Sequence, residues 1–565
     1  MKTLDAGQEI CTVAASIPDN AFNVWDDDFV QSMQTPYGEP GYRKRAETLV
    51  KEVKIEGLEM VDALHCLGID RYFDTEIKLT IDSTFRSWDT SIGIRLGSES
   101  VSSRNLNATA LGLRLLRLHR YDVSADVLES FKDENGHFSL SNSKEECAMR
   151  GILNLLRASS VAFPRETVME EAKMFSSAFL KTLPLSLDAY NASFLKEVEY
   201  ALVYEWSRTF TRWEAPNFIE IYELDDLRLK DKKILELAKL DFNILQFMYK
   251  MEMKNLSRWW VIKEGCDNSS VSKLIAMRER SIEYFLWGVS AADAMEFSCS
   301  RIAIAKISTV ATIVDDLFDD YATLDQVKLI KQAIVQGWDV SVVKNIPQNF
   351  KMCVEFIFKT MKELINEATK KQGRDMMPFI MKAWEDYIEA NLEHARWKSS
   401  GYVPTYNEYL STAITSAAIG PILLHPILLA GPVLSDDAIE KMFLNKSRFY
   451  ELIWMCIRLI DDTRDFEDDR RHGEIASTIS SYMRDHPECS EVEALNYITN
   501  LVEELLKELR WIYLNPNNSL LDWEKICFDF NRGLQFLYIF GDGITYSHKE
   551  VKHQVFKVFV DPVVI

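Results

Sequence analysis

Two apolar runs in this chain each end in a crowd of carboxylates. The first reads Ala311-Thr312-Ile313-Val314-Asp315-Asp316-Leu317-Phe318-Asp319-Asp320-Tyr321. On a helix, Asp315 and Asp319 share a face about 6 Å apart along the axis, with Asp316 on the neighbouring line. The second follows the apolar run 450–460 and reads Asp461-Asp462-Thr463-Arg464-Asp465-Phe466-Glu467-Asp468-Asp469. Here Asp461, Asp465 and Asp469 recur at i, i+4 and i+8, one stripe about 12 Å long. Like charges at this spacing repel, and burying them is costly unless positive charge sits against them. Oxygen-only donor sets suit hard divalent cations such as Mg²⁺ and Mn²⁺. The pattern predicts two helices facing one another across a cation cluster. A solvated acidic face is the alternative for each stretch, and Arg464, Arg470 and Arg471 give the second some interleaved positive charge.

The patterning around these stretches is helical. Apolar residues recur at three- and four-residue spacing over 45–58, 108–118 and 234–251. Strand-like alternation is nearly absent, so the fold class is all-α. Pro164, Pro184 and Pro216 fall between periodic segments, and residues 131–138 read as a turn between helices. Residues 411–420 are small and hydroxyl-rich; such composition suits a helix break whose carbonyls face a ligand, or tight helix packing. Residues 1–22 have weak periodicity and read as a mobile arm. Trp25 opens the folded part, and the charge-dense run 222–233 reads as a seam. The chain thus divides into the arm, an N-terminal helical domain over 23–225 and a larger helical domain over 226–565.

Composition excludes several function classes. A net charge of −21 argues against nucleic acid as a partner, since phosphate binding needs a basic face. The nine cysteines contain no CxxC pair, which argues against a zinc site or a disulfide framework. No apolar run approaches the 18 or so residues of a membrane span. The first 24 residues hold Asp5, Glu9 and Asp19, with Lys2 the only base. That is neither a secretory nor a transit pattern, so the expected location is cytoplasmic.

The motifs carry a resemblance. Asp315-Asp316-Leu317-Phe318-Asp319 matches a DDxxD motif, and Asp461 to Asp469 sits where a second metal motif, (N/D)Dxx(S/T/G)xxxE, would fall. Arg278-Glu279-Arg280 matches an RxR motif, with Arg280 35 residues before Asp315. Supporting strings include Arg117-Leu118-His119-Arg120-Tyr121, Arg212-Trp213-Glu214 and Ser257-Arg258-Trp259-Trp260. From Asn23 to the C-terminus the chain resembles a plant class I terpene synthase, most closely the conifer two-domain sesquiterpene synthases. There are departures. Asp465 stands where Ser, Thr or Gly is usual and Asp469 where Glu is usual, so the second motif also reads as a second DDxxD. The arginine pair that often precedes the anchoring Trp is missing, and no DxDD occurs.

The resemblance implies an α-barrel-like N-terminal domain and a catalytic C-terminal α-bundle. It implies loss of diphosphate from an allylic prenyl diphosphate, then cyclisation of the cation. Asp315, Asp316 and Asp319 would hold metal on one side, and Asp461, Asp465 and Asp469 on the other, with three Mg²⁺ ions and Mn²⁺ as a substitute. Arg278, Arg280 and Arg458 would contact the diphosphate. Trp287, Tyr538 and Asp542 would line the cavity, although such aromatics also serve as plain core. The implied protein is a monomer acting on a small molecule. Farnesyl diphosphate is the first substrate reading and geranylgeranyl diphosphate the second. Prenyl chain elongation and a non-catalytic ligand-binding relative are the other classes.

Overall fold

The computed structural model describes residues 25, 27–96, 103–138, 146–183, 192–225, 231–261, 280–318, 323–339, 341, 348–443, 446–471, 475–518, 521–544 and 549–565. The arm 1–22, Pro184, Arg278, Asp319 and the middle of the seam lie outside the described residues, as does the side chain of Asp469.

Helices run from Asp27–Ser32 to Lys549–Val555. Among the described residues the only sheet is a pair of two-residue antiparallel strands, Arg95–Leu96 against Ser103–Arg104. The helix expected over 108–118 is found as Leu106–Leu118. Asn105 starts it, its Oδ1 accepting the Ala108 N–H at 3.0 Å. The helix expected over 45–58 is instead two. Pro40–Glu52 ends at Val53, whose ψ of 136° is extended, and Leu58–Cys66 begins after Gly57 at φ 83°. The intervening Val53 and Ile55 are β-branched, which favours the extended backbone. The long helix Lys232–Val261 overruns its expected bounds at both ends. Pro216, read as a boundary, lies inside Thr211–Glu223.

Met295–Asp316 and Tyr406–Ala430 are long and apolar enough to cross a membrane by length and composition, contrary to the reading of the sequence. Lone charges and hydroxyls such as Arg301, Lys306 and Thr415 interrupt the apolar runs yet leave each helix apolar on average. Their most apolar stretches are 67% and 72% buried inside the protein, so both are core elements.

The early and late parts of the chain share one core, running from Trp25 to Phe559. Trp25 donates its indole N–H to Glu283 Oε1 at 3.2 Å and packs on Phe556, ring centroids 5.3 Å apart. Arg212, fully buried, bonds the Gly68 carbonyl at 2.7 Å and pairs with Asp241 and Asp293. Six helices then close a ring. Ser281–Ala291 packs on Ser298–Asp316, which packs on Ile419–Ala430; this adjoins Tyr406–Ser416, then Arg448–Arg471, then Asp522–Leu537, which returns to Ser281–Ala291. Ring closure is tight at Gly288, where a Cβ would fall 2.5 Å from the Arg301 carbonyl oxygen.

Candidate active site

Both carboxylate clusters sit on this ring. The first ends the Ser298–Asp316 helix, where the chain turns through buried Leu317 and Phe318. Asp316 is buried, and Asp315 is partly exposed. The second lies inside the Arg448–Arg471 helix, which carries Asp461 and Asp465 partly exposed and one turn apart.

The second cluster is the better defined. Tyr538, on the turn after the Asp522–Leu537 helix, donates its hydroxyl to Asp461 Oδ1. Arg458 Nη2 lies 2.6 Å from Asp461 Oδ2. Burial raises the Asp461 carboxyl above the usual carboxylate range, with Asp542 and Asp462 adding to the rise and Arg458 and Tyr538 opposing it. Burial, Asp461 and Asp542 also hold the Tyr538 phenol well above its ordinary value. Asp542 is itself buried and accepts the Ile544 N–H at 2.8 Å. The structure therefore brings Arg458, Asp461, Tyr538 and Asp542 together.

Trp287 is buried on the Ser281–Ala291 helix. Its Nε1 donates to the Phe530 carbonyl at 2.8 Å, and its ring stacks on Phe530 with centroids 4.0 Å apart. Its indole edge is thus committed to the Asp522–Leu537 helix. Arg280 stands at the start of the Trp287 helix, seven residues before Trp287 and on its face.

Asp462 does not behave as its neighbours do. It is 1% exposed and receives Arg458, the Tyr409 hydroxyl at 3.1 Å, and both the N–H and the hydroxyl of Thr478. Four donors saturate it, so it braces the helix instead of offering oxygens to a ligand. No local pattern around Asp462 points to Tyr409 or Thr478, which lie 53 and 16 residues away.

The expected helix break is present between Ser416 and Ile419, with Ala418 at φ 58°. Ser416 Oγ lies 3.3 Å from His394 Nε2, and burial with the nearby Arg458 charge pushes His394 down to about 4. A cavity of about 390 Å³ lies on another side, lined by Lys382, Asp386, Leu424, Phe443, Lys446 and Trp454, and takes in none of the clustered acids.

The donor set suits a hard cation: Asp315, Asp316, Asp461 and Asp465 offer oxygen alone, and Asp461 lies beside the buried Asp462 and Asp542. Among the described residues no three His, Cys, Asp or Glu side chains converge closely enough to hold an ion by themselves.

Residues 24–202 match the terpene synthase N-terminal domain, and residues 267–508 match the metal binding domain of the terpene synthase family. Alpha-humulene synthase of Picea glauca is 43% identical, the match covering 96% of each chain. A delta-selinene-like synthase of Picea sitchensis, described as chloroplastic, is 42% identical over 96% of each chain. The crystal structure of isoprene synthase from grey poplar, Populus x canescens, in complex with three Mg²⁺ ions and dimethylallyl-S-thiolodiphosphate, is similar with a TM-score of 0.80 at 29% identity. That match covers 96% of this chain and 99% of the other. The chain belongs to the terpene synthase family.

Proposed function

We propose that this terpene synthase ionises farnesyl diphosphate and cyclises the cation to a sesquiterpene, releasing diphosphate. The observation that carries the reading is that both acidic clusters belong to one closed ring of helices, with the half-buried Arg458 beside the second. Similarity to humulene- and selinene-type conifer enzymes supports the fifteen-carbon substrate.

Breaking a C–O bond in an apolar cavity requires the departing negative charge to be neutralised where it forms. Asp315, Asp316 and Asp319 would hold Mg²⁺ on one side, and Asp461, Asp465 and Asp469 on the other. Mg²⁺ held there would supply the positive charge that offsets the departing diphosphate. Arg278 and Arg280 add fixed donors to the leaving group. Arg458 also carries the carboxylates of Asp461 and Asp462, which fixes its direction. Trp287 and Tyr538 present aromatic faces, worth roughly 0.5–2 kcal/mol each to a cation. Residues 226–565 form the catalytic domain and 23–225 the helical domain beside it, a division supported by the separate spans of the two family matches.

Purified protein with Mg²⁺ and, separately, geranyl, farnesyl and geranylgeranyl diphosphate tests the reading. Farnesyl diphosphate should give cyclic hydrocarbon by gas chromatography. Product from the twenty-carbon substrate alone would move the assignment to a diterpene synthase, and no hydrocarbon from any would overturn it. Addition of isopentenyl diphosphate checks for chain elongation.

A further inference from the structure

The cavity of about 390 Å³ that lies apart from the clustered acids has the size of a small-molecule site. One face of the Met377–Ser400 helix forms a wall of it. Phe379, Lys382, Asp386, Glu389 and Glu393 line it at alternating three- and four-residue spacing. Leu424, Phe443 and Trp454 bring apolar surface from three other helices. Trp454 is only 4% exposed. Its ring edge is wedged against Gly420, where a Cβ would fall 3.0 Å from Trp454 Cη2.

Every charge around this cavity is answered but one. Asp386 is paired with Lys382, Glu389 with Lys331, and Glu393 with Arg396 at 2.6 Å. Lys446, half-buried, has no ion pair and no hydrogen bond among the described residues; its Nζ lies 4.0 Å from the centroid of the Trp454 ring. Burial lowers its ammonium below the ordinary lysine value, with Asp386 and Glu451 opposing. In the ring that carries it, the buried Trp454 Nε1 also has no hydrogen-bond partner. An ammonium and an indole N–H are both donors and cannot accept. What the two unmet groups lack is therefore an acceptor, and what Lys446 lacks is a negative charge.

We propose that this cavity binds an amphipathic organic monoanion, a carboxylate on an apolar chain, with the carboxylate on Lys446 and the Trp454 N–H and the chain against Phe379, Leu424 and Phe443. A carboxylate has two oxygens and can accept from both donors at once. The charge count selects a single negative charge. A group with several, such as a diphosphate, would find one free cation and face Asp386, Glu389 and Glu393. A cationic ligand would leave both donors unmet and be repelled by Lys446. Occupancy does not depend on the ionisation chemistry proposed above, because the cavity takes in none of the clustered acids.

Isothermal titration calorimetry on the full chain tests this with octanoate, 1-octanol and octylammonium as probes. Octanoate should bind at one site per chain, tighter than either of the others by about tenfold or more. Lys446→Met should weaken octanoate about tenfold or more and leave 1-octanol within about threefold. Lys446→Arg keeps the charge and should stay within about threefold of wild type for octanoate. Trp454→Phe keeps a ring but not the N–H, and should weaken octanoate about threefold or more. Thermal melts of the Lys446 variants should match wild type, which separates loss of binding from loss of fold. Absence of octanoate binding to wild type overturns the proposal. So does octanoate affinity that survives in Lys446→Met, or 1-octanol or octylammonium binding as tightly as octanoate.

Discussion

Asp462 Oδ2 accepts the backbone N–H of Thr478 at 2.9 Å and the Thr478 hydroxyl as well. One residue earlier, Asp461 turns about 100° around the same helix and meets Tyr538 instead. Adjacent carboxylates of one motif thus have opposite duties. Asp462 ties the Arg448–Arg471 helix to Tyr409 and Thr478, while Asp461 keeps part of its surface open. Asp462→Ala should cost about 3–5 kcal/mol, because it takes one of two carboxylates from Arg458 and leaves three further donors without their acceptor in a buried place. Asp461→Ala should leave the unfolding midpoint near that of wild type while abolishing diphosphate release. Urea unfolding and turnover of the two variants separate the roles. An Asp462→Ala protein as stable as wild type would remove the brace.

Gly288 sets how closely the Trp287 helix approaches the first acidic helix. An added Cβ meets the Arg301 backbone, 2.5 Å from its oxygen and 3.1 Å from its carbonyl carbon, and backbone on both sides cannot yield as a side chain would. Gly288→Ala should destabilise by roughly 1–3 kcal/mol or more through overpacking. It should also alter the product ratio, since it moves Trp287 against Asp315. Gly41, also helical, has open space around its position. Gly41→Ala should be neutral or slightly stabilising in the same thermal melt.

The features legible in the sequence were those that repeat along one element. The three-four spacing of apolar residues marked the helices, and the recurrence of Asp461, Asp465 and Asp469 marked one face. The composition of 411–420 marked the break at Ala418 because small residues and hydroxyls have few ways to continue a helix rigidly. Features that depend on a distant partner left no such trace. Nothing local separates Asp462 from Asp461, and its duty follows from Tyr409 and Thr478. Nothing near Tyr284 points to the Thr312 hydroxyl that it meets, 28 residues on. Pro216 was misread because proline in the early turns of a helix looks, in sequence, like a boundary.

His425 should make the fold acid-sensitive. It is fully buried, its Nδ1 lies 3.0 Å from the Pro421 carbonyl, and its Nε2 has no hydrogen-bond partner. The carbonyl only accepts, so Nδ1 carries the hydrogen. Burial holds the imidazole down to about 4, with the Pro421 carbonyl partly opposing. In the unfolded chain the ring titrates near its ordinary value of about 6.5. Between those values the unfolded state binds more protons, so stability falls as pH falls from about 6.5 and levels off below about 4. At pH 5 the loss from this one group is on the order of 2 kcal/mol. Urea midpoints at pH 7.5 and pH 5 should therefore lie closer together in His425→Leu than in wild type. Equal gaps in the two proteins would mean that His425 is not held neutral.

Cation binding should itself be visible without turnover. Asp461, Asp462 and Asp542 crowd negative charge into a buried place, and Arg458 answers only part of it. A divalent ion held by these acids would relieve that repulsion, and inorganic diphosphate would add negative charge that favours holding it. Mg²⁺ and diphosphate together should therefore raise the melting temperature more than the sum of either alone. A ligand at a hundredfold excess over its Kd adds about 2.7 kcal/mol to the folded state, which a thermal melt resolves. Asp315→Asn and Asp461→Asn should each reduce the joint shift while leaving the melt without ligand near that of wild type. The two substitutions lie on different helices, so equal effects on one shift would tie both helices to the same ions. A joint shift that persists when both acids are replaced would put the ions elsewhere and remove the basis for the proposed ionisation step.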